Sequence, residues 1–295
     1  MRRFLAVLLL VSACSQAVPE GSSEEGAAAI PQRILALAPS VAETAFALGL
    51  GDRVVGVGDY VHWPPEAAAR PRLGGLINPN LEAMVRLRPD LAILLPSEED
   101  IARSLRRLEI EVLTVESESL ADLGETAMAI GRRCGVPDRA EELRRGLVRG
   151  LAPREIAGGR SVMVTVGRPP GRPAEILVAG PGTFYNELLE RLGAVNAFHD
   201  APGLYPQISL EQVLARAPDL ILEIHADEQS APEIAERRQD WAEALSSTAG
   251  AGTPVRVISG DWALIPGPRL PRLYGAMAES LNTSGSAREA AEDSP

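Results

Sequence analysis

Short, unbroken apolar runs recur along the chain, each bounded by glycine, proline or charged residues. Arg33 to Ala38, Arg53 to Val57, Leu91 to Leu95 and Glu111 to Val115 form one set. Ser161 to Val166, Glu175 to Ala179, Leu220 to Leu222 and Val255 to Ile258 form another. Runs of this length read as buried strands. Helical periodicity fills the intervals at about 40–48, 100–108, 183–192, 241–245 and 269–281, where Ser40 with Glu43 fits a capping box and Thr183 fits an N-cap. Strands alternating with helices over short links indicate βα units and mainly parallel sheets. Leu120 to Arg133 and Asp138 to Gly150 are helical with no strand between them, a passage that reads as a rigid connector.

One unit occurs in each half. Asn80-Leu81-Glu82 opens a short helix that stops before Pro89-Asp90, and a strand follows at Leu91; Ser209-Leu210-Glu211, Pro218-Asp219 and Leu220 repeat the arrangement. Asn80 and Ser209 are N-cap residues, and the helix dipole favours a carboxylate in the first turn. The repeat predicts an α/β protein of two similar lobes. Glu82 and Glu211, displayed alike on both, would give a partner with two cationic sockets a two-point contact.

At 295 residues the chain is long enough for two such lobes, and 45% of it is hydrophobic. A net charge of −11 argues against nucleic acid as a partner, because phosphate backbones are held mainly by basic patches. All basic residues are arginines. Of two cysteines, only Cys134 lies in the body of the chain, so no internal disulfide frames the fold; it is expected as a half-buried structural residue at a helix end.

The N-terminus has the layout of a secretory signal: Arg2 and Arg3, an apolar run from Phe4 to Val11, and small residues up to Cys14. Val11-Ser12-Ala13-Cys14 resembles a bacterial lipobox, which makes Cys14 the expected lipidated residue and the membrane a partner through that lipid. The polar stretch after it reads as a tether. The expected layout is a leader at 1–14, a tether at 15–30, a first lobe at 31–136, a connecting helix at 137–157, a second lobe at 158–282 and a disordered tail at 283–295.

A set of ordered motifs resembles one family: Ala38-Pro39-Ser40, Glu43, Ala47 to Val57, Tyr60, Pro64-Pro65-Glu66-Ala67, Asn78-Pro79-Asn80-Leu81-Glu82, Tyr205 to Glu211, and Gly260-Asp261-Trp262. It is the substrate-binding proteins of ABC importers for vitamin B12 and ferric siderophores, with its cobalamin-binding members nearest. The resemblance spans about residues 31 to 282. It implies two α/β lobes joined by a long backbone helix, a cleft between them for a corrinoid or iron-chelate cargo, and no resident cofactor. It also implies a monomer whose Glu82 and Glu211 dock on arginines of a dimeric permease. By the same match Tyr60, Tyr205 and Trp262, with Trp63 nearby, face the cleft, where aromatic walls suit a flat, largely apolar macrocycle. Gly75-Leu76-Ile77-Asn78 lacks the tryptophan that the cobalamin binders carry there.

His62 and His199 fall in loops near the expected cleft, and Arg168 and Arg172 are expected as solvated loop residues that would, alternatively, grip an anionic siderophore. A secreted α/β hydrolase is the competing class, but the chain has no G-x-S-x-G, H-E-x-x-H, P-loop or C-x-x-C motif. A receptor for free zinc or manganese would need a cluster of ligands that no spacing here identifies.

Overall fold

A computed structural model describes residues 29–292 apart from Pro170, Arg172, Ser247 and Ala249, with side chains as far as Asn282. The leader, Cys14, nearly all of the tether and Arg172 lie outside the described residues.

The first lobe runs β1 (Ile34–Ala36), α1 (Pro39–Ala47), β2 (Val54–Val57), α2 (Pro65–Ala68), α3 (Leu81–Arg86), β3 (Leu91–Leu94), α4 (Glu99–Arg107) and β4 (Glu111–Thr114). Its four strands pair in parallel in the order β2-β1-β3-β4. Alternate side chains leave opposite faces of a strand. Ile34, Ala36, Leu91 and Ile93 accordingly enter one buried cluster while Leu35, Leu37, Ala92 and Leu94 enter another. Burial on both faces is why these strands read as unbroken apolar runs.

The second lobe contains β5 (Ser161–Gly167), β6 (Ile176–Val178), α7 (Phe184–Arg191), β7 (Val195–Asn196), β8 (Gln207–Ile208), α8 (Leu210–Arg216), β9 (Leu220–His225), α9 (Ala231–Leu245), β10 (Val255–Ser259) and α10 (Leu270–Glu292). Its sheet has the order β10-β9-β5-β6-β8, with β7 also on β5. The β10, β9, β5 and β7 pairings are parallel and those of β6 are antiparallel. Only the first sheet is therefore purely parallel.

The repeat is structural as well as sequential. The Asp90 carboxylate accepts from the Gln32 and Arg33 N–H groups (2.8 and 2.9 Å), at the entry to β1. Asp219 accepts from the Ser161 N–H (2.9 Å) at the entry to β5. Each Pro-Asp thus ties the helix-to-strand turn to the first strand of its own lobe, beside which β3 and β9 lie in parallel.

The link between lobes differs from a single connecting helix. α5 (Leu120–Arg133) and α6 (Pro137–Gly150) form a hairpin in which both members span both cores. Leu123, Leu147 and Leu151 enter the second lobe's core; Ile130, Cys134 and Ala140 enter the first's. A Cβ built on Gly131 would stand 2.3 Å from that of Ala140, so glycine permits the close approach of the two helices. α6 ends before Pro153, and a turn leads on to β5. Cys134 is fully rather than half buried, and that burial raises its thiol pKa.

Three further departures have local causes. α1 starts from Ala38 with Pro39 in its first turn, where no N–H partner is needed, so Ser40 and Glu43 form no capping box. α9 begins ten residues before the expected 241, because only Trp241 and Leu245 of its side chains are buried and no apolar stripe marks its opening. Its start is instead marked by Ser230, whose N–H donates to Glu233 at 2.7 Å. α10 continues through the tail expected to be disordered as far as Glu292, and its last six residues, Ala287-Arg288-Glu289-Ala290-Ala291-Glu292, are all good helix formers. Among the described residues no helix is long and apolar enough to cross a membrane.

Candidate ligand-binding cleft

Ligands of open α/β sheets bind beyond the carboxyl ends of the strands. In the first lobe those ends lead into Leu37-Ala38-Pro39, Gly58-Asp59-Tyr60 and Leu95 to Glu98, which surround a hollow of about 140 Å³. Much of its wall is backbone. A Cβ on Gly58 would stand 2.2 Å from the Leu37 carbonyl oxygen, and one on Gly74 (φ +86°) 2.3 Å from that of Asn78. The Asp59 carboxylate accepts from the Gly74 N–H at 3.1 Å and holds the two loops together. Tyr60 stands at the rim, 70% exposed, its ring beside Gly75. Leu76 and Ile77, also exposed, continue the apolar rim into an adjoining groove of about 360 Å³ between α3 and α4.

The four aromatic candidates separate. Trp63 is exposed but lies away from the hollow, with the Arg269 guanidinium 5.4 Å from its ring centroid, in a groove of about 380 Å³ at the seam between the lobes. Tyr205 is partly exposed on the second lobe; burial, and secondarily the charge of Glu118, raise its hydroxyl pKa. Trp262 is 7% exposed and belongs to the second lobe's core, capped by the Arg272 guanidinium 4.1 Å from its ring. That burial leaves the indole little surface to offer a ligand. Gly260 (φ +125°) leads into the short turn at Asp261–Ala263, from which the ring packs into that core.

Charged side chains expected at the cleft are engaged elsewhere. The Arg168 side chain has no exposed surface and lies 3.0 Å from both Glu223 and Asp240, so it is neither solvated nor presented to a ligand. Glu223 also receives Arg237 (3.1 Å), His225 (2.9 Å) and the Trp241 indole N–H (2.6 Å). Burial pushes its pKa up, but His225, Arg168 and Trp241 together outweigh that and hold it below the usual carboxylate range. His62 is exposed; His199 is exposed too, and its Nδ1 lies 3.0 Å from the Asn196 carbonyl oxygen.

At the seam, Arg269 donates to Glu43 of the first lobe (2.9 Å) and to Asp261 of its own (2.8 Å). The Phe184 N–H also donates to the Glu118 carbonyl (2.9 Å). Glu82 and Glu211 are both exposed in first helical turns, Asn80 capping α3 through the Ala83 N–H (2.9 Å). Glu82 pairs with Arg86 at 2.6 Å, an exposed contact that a competing guanidinium would displace at little cost.

The family model for periplasmic binding proteins matches residues 34–245, from β1 to the end of α9. The chain belongs to the periplasmic binding protein family. The vitamin B12-binding protein of Pectobacterium carotovorum subsp. carotovorum (strain PC1) is 29% identical over 251 residues, covering 82% of this chain and 85% of the relative. Among solved structures, the periplasmic vitamin B12 binding protein BtuF of Vibrio cholerae superposes with a TM-score of 0.71 at 24% identity, over 86% of this chain and 98% of that one. The apo periplasmic heme-binding protein RhuT from Roseiflexus sp. RS-1 gives 0.70 at 23%, over 86% and 98%. At those identities the structures establish the two-lobed fold.

Two features of this periplasmic binding protein escape a reading of its sequence. Glu98 is 6% exposed at the back of the Tyr60 hollow, where burial raises its pKa against a hydrogen bond from the Leu95 N–H (2.7 Å). Its only signal was the acidic run Glu98-Glu99-Asp100 just beyond a buried strand. The Glu43–Arg269 pair joins residues 226 positions apart, and no local pattern announces it.

Proposed function

We propose that this chain is an extracytoplasmic substrate-binding protein that captures a corrinoid between its lobes and delivers it to an ABC importer. The observation that carries this reading is the hollow at the first lobe's strand ends, with a glycine-backbone wall and a rim of Tyr60, Leu76 and Ile77. Such a surface suits the flat face of a macrocycle, which binds through area burial and dispersion. The similarity to vitamin B12-binding proteins supports the corrinoid assignment. Tyr60 and Tyr205 are the cargo contacts, while Trp63 and Trp262 shape the seam and the second lobe.

Delivery proceeds through Glu82 and Glu211, each meeting an arginine of one permease subunit; such charge pairs guide docking and fix its orientation. The α5–α6 hairpin and the Glu43–Arg269 pair resist wide hinge motion, so cargo enters with small lobe movement and the permease spreads the lobes to release it. The protein acts as a monomer held to the membrane by a lipid on Cys14.

Calorimetric titration with cyanocobalamin, then with a ferric hydroxamate, tests the cargo. A one-to-one endpoint with cobalamin is expected; silence with it and heat from the siderophore would move the protein to the chelate-binding members of the class. The Glu82→Ala/Glu211→Ala double variant should bind cargo normally and fail to support uptake, and normal uptake would overturn the docking role.

A further inference from the structure

The two hollows of the first lobe have carboxylates in their walls and no arginine, lysine or histidine. Asp59, Glu98 and Asp100 are their acidic residues. Nearby guanidiniums are engaged: Arg72 donates to the carbonyls of Gly58 (2.8 Å) and Val61 (2.7 Å), and Arg103 pairs with Asp100 (3.5 Å). Of the three carboxylates only Glu98 lines both hollows. It is 94% buried by its 6% exposure, and one oxygen, Oε2, accepts the Leu95 N–H. The other oxygen receives no hydrogen bond among the described residues. That oxygen is not among the fully buried unpaired atoms, so it keeps accessible surface in a residue that lines both hollows, and a charged acceptor there binds an N–H strongly. A cargo carboxylate placed there would meet a like charge with no cation between them.

We propose that Glu98 is the first lobe's polar anchor, accepting a hydrogen bond from an amide N–H on the rim of the cargo, so that the cleft selects amide-fringed chelates over carboxylate-fringed ones. This rests on the corrinoid reading and sharpens it. Corrins carry peripheral carboxamides, whereas haem carries two carboxylates on an otherwise similar flat ring. Asp59 and Asp100 add to the negative field, but Asp59 holds Gly74 and Asp100 is exposed and paired, so the specific contact falls to Glu98.

The test titrates the purified full-length protein with cyanocobalamin, with the monocarboxylates made by hydrolysing its peripheral amides, and with hemin. The wild type should bind cyanocobalamin at least about tenfold more tightly than either carboxylate form, the order expected when a buried polar group loses its partner. In Glu98→Gln the amide oxygen can keep the Leu95 N–H while its NH₂ faces the hollow. That variant should narrow the preference to less than about threefold, and Asp100→Asn should leave it intact. Equal wild-type binding of amide and carboxylate corrins would overturn the anchor and leave the corrinoid reading standing. So would an unchanged preference in a folded Glu98→Gln, or an equal loss in Asp100→Asn. A wild type that binds no corrin would overturn the reading itself, and the anchor with it. Should Glu98→Gln not fold, the wild-type comparison alone decides.

Discussion

Arg269, just before the final helix of the second lobe, holds Glu43 in the first helix of the other, and both oxygens of Glu43 are engaged. Asp261 braces the same guanidinium from its own lobe, and Trp63 lies across it. Glu43 is buried, and burial raises its pKa despite the arginine. Removing the arginine leaves that carboxylate stranded. Arg269→Met should therefore cost about 3–5 kcal/mol in urea unfolding, whereas Glu43→Leu/Arg269→Met together should restore most of the loss, since apolar replacement of a buried pair is often near neutral. The double variant should also show greater lobe separation by small-angle scattering, because a side-chain tie between the lobes is then gone.

Glu223 supplies the pH dependence of the second lobe. Its folded pKa is lowered, with Arg168, Arg237, His225 and Trp241 around it. A lowered carboxylate pKa means the unfolded chain binds the proton more readily, so the stabilisation is present above the unfolded value and is lost as pH falls through the folded one. Acidification should lower the urea midpoint and shift the emission of Trp241, whose indole N–H donates to this carboxylate. Glu223→Gln should flatten that acid slope and cost about 3–5 kcal/mol at neutral pH, with Arg168 left to Asp240 alone.

The exposed and buried aromatics should part in experiment. Tyr60→Ala removes a rim side chain that packs on little but Gly75, so its melting temperature should match the wild type while cargo affinity falls by about tenfold, as for a lost stacking contact worth about 1.4 kcal/mol. Trp262→Ala empties part of the second core and should destabilise by about 3–5 kcal/mol. A Trp262→Ala protein with wild-type stability and lost binding would return the indole to the cleft.

What the sequence disclosed follows from how local each cause is. Asn80, Glu82, Pro89 and Asp90 act within a dozen positions of one another, and their reappearance at Ser209, Glu211, Pro218 and Asp219 exposed the lobes before any coordinates. The strands were legible because both faces of each sheet are covered, which leaves unbroken apolar runs. Glu43 is hidden from a sequence reading for the opposite reason. Its spacing from Ser40 satisfies a capping rule, but its partner is 226 residues away. The burial of Trp262 is not legible either, because a loop position tells nothing of which way a ring turns. Arg168 reads as a solvated loop residue because its partners, Glu223 and Asp240, lie far along the chain.

The connector offers the sharpest test of rigidity. Each of α5 and α6 has 14 residues, about 21 Å at the usual rise, enough to carry one end into each core. They pack tightly where Gly131 meets Ala140, and a Cβ at 131 would lie 2.3 Å from the alanine's own. Gly131→Ala gains up to about 1 kcal/mol in helix propensity yet must force the pair apart, and overpacking of this kind costs about 1–3 kcal/mol. Net destabilisation is expected, visible as a lower urea midpoint. Gly131→Ala/Ala140→Gly moves the methyl group to the other helix, so most of the loss should return apart from the helix cost of the new glycine. If the pair sets the angle between the lobes, the single variant should also weaken cargo binding at a site neither residue touches, and the exchange should restore it. Recovery of stability without recovery of binding would show that the hairpin supports the lobes without setting the width of the cleft.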